Sequence, residues 1–134
     1  MARRLILDTG VLIAAERRGL DLSLPIADDE DVVVAAVTVA ELRTGIELAD
    51  GPRRPRRNHF VAQVLARLPV EPYDVATAEA HGRLLAHVHR TGTPRGAHDL
   101  IVAATAVSTG RTLLTSDRSA RFAELPGLDC IELG

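Results

Sequence analysis

The sequence predicts an α/β fold, a three-layer sandwich whose central, mainly parallel sheet of four to five strands is flanked by helices. Short apolar runs of strand length alternate with longer runs of helical spacing along the whole chain. The run over residues 32–37 is apolar at every position, which suits a strand covered on both faces. The chain has 134 residues, 46% of them apolar, enough for one domain with a core of its own. Two Phe and one Tyr are its only aromatic residues, so that core is built from Leu, Val, Ile and Ala.

Taken in order, residues 4–7 form a short β-rich run. Residues 9–18 follow at helical spacing, with Val11, Leu12 and Ala15 on one side and Glu16, Arg17 and Arg18 on the other. Residues 21–27 are a candidate short helix. The run Asp28, Asp29, Glu30, Asp31 is most simply a solvated loop. Residues 32–37 are the buried strand. Residues 38–49 make a helix with Leu42, Ile46 and Ala49 on one face, stopped by Asp50, Gly51 and Pro52. The arginine-rich stretch 53–57, most simply a solvated turn, leads into a helix over 58–68. Residues 70–73, bracketed by Pro69 and Pro72, are a short strand or connector. A long helix over 75–90 is broken at Thr91, Gly92, Thr93 and Pro94. An Ala-rich helix over 97–108, a strand over 112–115, a short helix over 119–124 and a last strand over 128–133 complete the chain.

Several classes are excluded early. No stretch approaches the roughly 18 uninterrupted apolar residues of a spanning helix. The opening segment, two arginines and an apolar run, has the outline of a secretory leader, but Asp8 interrupts it. A cytoplasmic protein with no membrane partner is expected. Cys130 is the one cysteine and can form no internal disulfide. The net charge of −2 gives no general attraction to nucleic acid. All basic residues are arginine, which removes every mechanism that needs a lysine.

Four acids stand where a strand gives way to a helix or where a helix opens: Asp8, Glu41, Asp99 and Asp117. In a parallel sheet such positions collect at one edge, the usual place for a site. Unpaired carboxylates there repel at about 4 kcal/mol per close pair for an effective dielectric near 20. A hard divalent cation with oxygen ligands, such as Mg²⁺, is the simplest neutraliser. Each acid also has a local alternative. Asp8 can cap the helix at Thr9, and Asp117 the one at Ser119. Thr38 and Glu41 have capping-box spacing. Asp99 suits the dipole of its own first turn.

Four segments together resemble the PIN-domain nucleases, and within them the VapC-type toxins of toxin–antitoxin pairs. They are the strand followed by Asp8-Thr9-Gly10 and Val11-Leu12-Ile13, then T-x-A-E-L over residues 38–42. The third is D-x-x-V-A-A-T-A over residues 99–106, and the fourth is T-x-D at 115–117 with Phe122 beyond. The resemblance spans nearly the whole chain and implies a single PIN-like nuclease domain over residues 1–134. It implies an endoribonuclease dependent on Mg²⁺, with Mn²⁺ as a substitute, and Asp8, Glu41, Asp99 and Asp117 as catalytic and metal-holding residues. It also implies an RNA substrate, a cognate antitoxin and a homodimer. Arg121 departs from the pattern, since many relatives carry a histidine before the Phe.

Around the acids, Thr9 and Thr115 are candidate contacts to substrate phosphate or metal-bound water. Arg43, Arg95, Arg118 and Arg121 are candidates for the RNA backbone. Thr38 is read as a cap and His98 as an exposed residue at a helix start. No Ser–His or Cys–His pairing suggests itself. Two other functions compete with this one. A magnesium phosphatase of haloacid-dehalogenase type usually needs a lysine, and a second Asp where this chain has Gly10. A non-catalytic PIN-like binding domain would not need all four acids.

Overall fold

The computed structural model describes residues 3–18 and 29–133. The helix expected over residues 21–27 lies outside them. Five strands form one sheet: β1 (Arg4–Leu7), β2 (Asp31–Ala35), β3 (Val70–Glu71), β4 (Thr112–Thr115) and β5 (Cys130–Glu132). Their spatial order is β3-β2-β1-β4-β5, and every neighbouring pair is parallel. The helices are α1 (Thr9–Arg17), α2 (Ala36–Leu48), α3 (Arg53–Arg67), α4 (Val75–Thr91) and α5 (Ala97–Thr109).

Strand alternation assigns the helices to two layers. Leu5, Leu7, Val32, Val34 and Leu114 pack with Leu12 of α1, Leu42 and Ile46 of α2, and Val61 and Val64 of α3. Ile6, Val33, Ala35 and Leu113 point the other way, onto Ala80 and Leu84 of α4, the small residues of α5, and Phe122. Ala103, Ala104 and Ala106 are fully buried, so α5 lies close against both the sheet and α4. The expected three-layer sandwich is present.

Several boundaries differ from the sequence reading. The strand expected over 32–37 ends at Ala35, and Ala36 and Val37 already belong to α2. Both residues are apolar in either state, so composition could not place the break. Helix α3 starts at Arg53 rather than at residue 58. Pro55 is tolerated there because the first turn has no internal acceptors for its N–H groups. The strand near residue 70 is only two residues long, and β5 only three. The helix expected over 119–124 shrinks to one 3₁₀ turn, Phe122–Glu124, after Arg121 takes a left-handed conformation at φ 49°. The acidic run is not a wholly solvated loop. Asp31 opens β2, and the largely buried Arg111 side chain donates to its carboxylate at 3.0 Å and reaches Glu71 at 3.4 Å. Glu30 pairs with Arg3 at 2.6 Å.

Strand β1 carries β2 on one side and β4 on the other, so the chain reverses its direction of sheet growth there. The crevice of such a fold opens beyond the C-terminal ends of those strands. Asp8 follows β1 directly, and its N–H still donates to Leu114 O at 2.9 Å. The segment bearing Asp117 follows β4.

Candidate active site

All four sequence-flagged acids meet at this edge. Asp8 comes from the end of β1, Glu41 from the second turn of α2, Asp99 from the first turn of α5 and Asp117 from the turn after β4. Burial pushes the Asp8 carboxyl above its ordinary value; Glu41 and Asp117 add to the rise, while the Thr115 hydroxyl and Thr9 N–H oppose it. Asp99 is raised by burial first, then by Asp8, Asp117 and Glu41, with His98 opposing. The buried Asp8 therefore feels two of the other acids as negative charge, and the half-buried Asp99 all three. No group of three, among the described residues, is drawn together tightly enough to form a ready coordination sphere. Mutual repulsion is the physical reason to expect an open cluster before a cation binds.

The capping alternatives fare unevenly. Asp8 is the N-cap of α1, yet its side chain makes no cap hydrogen bond. The capping box fails outright. Helix α2 begins two residues before Thr38, which is fully buried inside the first turn, and the N-cap is Ala35. Asp117 caps no helix either, since the 3₁₀ turn starts only at Phe122; its Oδ1 instead closes a local turn, accepting from Ser119 N at 2.9 Å, Ser119 Oγ at 2.6 Å and Ala120 N at 3.2 Å.

Buried hydroxyls orient the carboxylates. Thr115 Oγ1 donates to Asp8 Oδ2 at 2.9 Å and accepts from Asp117 N at 3.0 Å, so one hydroxyl joins two of the acids. Thr9 Oγ1 donates to Glu41 Oε1 at 2.7 Å. Thr38 Oγ1 lies 3.3 Å from Thr9 Oγ1, so the two buried hydroxyls stand together beside Glu41. Thr9 and Thr115, candidate contacts to substrate phosphate or metal-bound water, are both buried and spend their protons on Glu41 and Asp8. His98 Nδ1 lies 3.5 Å from Glu41 Oε2. The sequence reading missed Thr38 and Ser119 as supports; the Ser two positions after Asp117 was the available signal.

The four arginines divide. Arg118 and Arg121 sit on the Asp117 turn with side chains 78% and 48% exposed. Arg43 does not face the site. Two positions along a helix turn the side chain about 200° from Glu41, and Arg43 pairs with Glu47, which Arg54 also contacts. It lines a groove between α2 and α3 with Ile46, Gly51, Arg54, Pro55 and Asn58. Arg95 is buried and cannot meet a substrate in solution.

Gly96, the N-cap of α5, was also missed. A Cβ there would come within 2.8 Å of Asp99 Oδ2. Gly96→Ala is expected to leave the melting temperature nearly unchanged, because a flexible carboxylate can swing away. Displacing that carboxylate should lower divalent-cation affinity by about 10-fold or more. Calorimetric titration of the folded variant with Mn²⁺ checks this; wild-type affinity would show that Asp99 need not occupy its present place.

A parallel α/β layer structure with four carboxylates converging at its switch point defines a class of acidic, oxygen-donor sites. The chain belongs to the PIN domain family, whose model matches residues 5–128. It is 30% identical over 131 residues to Ribonuclease VapC4 of Mycobacterium tuberculosis, covering 98% of each chain. In structure it is similar to VapBC-5 of Mycobacterium tuberculosis, described as a member of the VapBC family of toxin-antitoxin systems. The TM-score is 0.79, at 29% identity, over 99% of this chain and 100% of that one. The fold also matches VapBC2 of Rickettsia felis, at a TM-score of 0.86 and 21% identity, over 97% and 98% of the two chains.

Proposed function

We propose that this chain is the toxin of a type II toxin–antitoxin pair and acts as a metal-dependent endoribonuclease. The observation that carries this is the set of four carboxylates, delivered by four separate segments to one sheet edge, two of them made weaker acids than usual by burial and by the other carboxylates. The VapC relatives named as ribonucleases supply the reaction class, and the VapBC assembly supplies the antitoxin partner. An intact set of acids argues against a binding-only domain.

The donor set fits a hard divalent cation. It is all oxygen, offers several carboxylates, and leaves two of them electrostatically opposed to their own charge. Asp8, Glu41, Asp99 and Asp117 would hold Mg²⁺, or Mn²⁺ in its place. The bound cation would supply an acidified water and neutralise charge on the scissile phosphate. The chain's own residues do the rest. Thr115 and Thr9 fix the directions of Asp8 and Glu41. Arg118 and Arg121, exposed on the neighbouring turn and only loosely paired with Glu132 and Glu124 at 3.9 Å each, would meet phosphate oxygens of an RNA strand, for which the guanidinium fork is well shaped. A homodimer in the cytoplasm is the setting we infer. No helix among the described residues is long and apolar enough to cross a membrane.

Purified protein should cleave RNA with Mg²⁺, leave 5′-phosphate and 3′-hydroxyl ends, and stop when EDTA is added. Cleavage that persists undiminished in EDTA, or in the Asp99→Asn variant, would overturn the reading. Acidity gives a second check. The raised carboxyls of Asp8 and Asp99 hold more protons in the folded, metal-free chain than in the unfolded one, over a window that opens above their ordinary 3.8. The penalty of ionising them is full above the raised values and fades as pH falls through them. Metal-free protein should therefore gain stability from these two groups as pH drops through the window, while Mg²⁺ affinity weakens as protons compete. Melts of EDTA-treated wild type and Asp8→Asn between pH 7 and 4 isolate the effect, which should shrink in the variant; identical pH profiles would contradict it.

A further inference from the structure

Arg95 carries a charge where packing alone would not ask for one. It lies in the connector between α4 and α5, four residues before Asp99, and its side chain is only 4% exposed. Its Nη1 donates to the carbonyl of Ala120 and, at 2.6 Å, to that of Arg121. Its Nη2 lies 3.6 Å from Glu124 Oε1. Its Nε is buried with no acceptor among the described residues. Burial of a guanidinium carries a desolvation penalty that an apolar side chain of similar length would avoid.

What the guanidinium grips is the turn that presents Asp117. Asp117 Oδ1 holds the N–H groups of Ser119 and Ala120 from one side. Arg95 holds the carbonyls of Ala120 and Arg121 from the other. Arg121 has the one positive φ outside glycine among the described residues. A left-handed arginine is unfavourable by itself and persists only where its surroundings fix it. Arg95 thus ties the entry to α5, which carries Asp99, to the turn that carries Asp117.

We propose that Arg95 is a positioning residue that fixes the Asp117 turn relative to Asp99 and so sets the spacing of two carboxylates for a divalent cation. It acts through the backbone and touches neither cation nor RNA. The inference rests on the metal-site reading above.

The test compares Arg95→Met and Arg95→Lys with wild type by Mn²⁺ calorimetry and by amide hydrogen exchange of the metal-free proteins. In Arg95→Met, Mn²⁺ affinity should fall by about 10-fold or more, and the Ser119 and Ala120 amides should exchange faster while the sheet amides do not. Arg95→Lys keeps the charge but loses the fork, and should recover part of both. A folded Arg95→Met with wild-type affinity and wild-type exchange at Ser119 and Ala120 overturns the proposal. Should that variant not fold, Arg95→Lys decides: weaker Mn²⁺ binding at an unchanged melt supports the role, and unchanged binding refutes it. Asp99→Asn is the control for the underlying reading. If it binds Mn²⁺ like wild type, the metal site is misassigned, and the exchange rates still judge Arg95.

Discussion

Asp8→Asn is expected to reduce RNA cleavage by at least about 100-fold, since even outer partners of a metal ligand are commonly worth 10–100-fold, while the fold survives. Asp8 is 7% exposed, and burial is the main reason its carboxyl is raised. Asparagine has nearly the same volume, and its amide oxygen can still accept the Thr115 proton. The lost quantity is one buried negative charge, which opposes folding when no cation is bound and is required when one must be held. Stability of the metal-free protein should therefore stay level or rise. Thermal melts in EDTA and cleavage assays in Mg²⁺ separate the two effects. A variant that cuts RNA like wild type would remove Asp8 from the site, and one that melts markedly lower would show that its charge is structural.

Thr115→Val should behave in the opposite way, harming stability and activity together. Valine matches threonine in shape but lacks the hydroxyl that donates to Asp8 Oδ2 and accepts from Asp117 N. Two polar groups at or near the buried end of β4 would lose their partner, at about 1–3 kcal/mol for each group left unsatisfied. The Asp8 carboxyl, deprived of its donor, should also rise further. Cleavage should drop by about 10–100-fold, the usual weight of an orienting partner. Thr115→Ser keeps the hydroxyl and should restore most of both. Urea unfolding with parallel cleavage assays tests this. Equal stability and activity in the valine variant would mean that the hydroxyl orients nothing.

Much of this molecule is legible in one dimension. The apolar runs at Leu5, Val33 and Leu113 announce strands because a doubly covered strand has no polar face to show. Their alternation with helical runs dictates a parallel sheet. A parallel sheet in turn carries Asp8, Glu41, Asp99 and Asp117 to a common edge. That chain of inference needs only local pattern and chain connectivity. Element ends were less legible. Val37 is apolar whether in strand or helix, and Pro55 reads as a breaker unless one knows that it falls in a first turn.

Side-chain direction was decided by the tertiary structure alone. Nearness in sequence to an acid suggested that Arg43, Arg95, Arg118 and Arg121 are equivalent. In the fold, Arg43 turns away with the helix, Arg95 is buried under the Asp117 turn, and Arg118 and Arg121 remain exposed beside it. Thr9, Thr38 and Thr115 likewise changed meaning. A threonine near an acid can face solvent or core, and only packing tells which. The sequence by itself determined the α/β layers and the acids at their edge, because hydrophobic period and connectivity are local properties. That Thr115 holds Asp8, that Thr9 holds Glu41 and that Arg95 is the buried arginine depend on segments more than 20 residues apart meeting in space, and no local pattern encodes that.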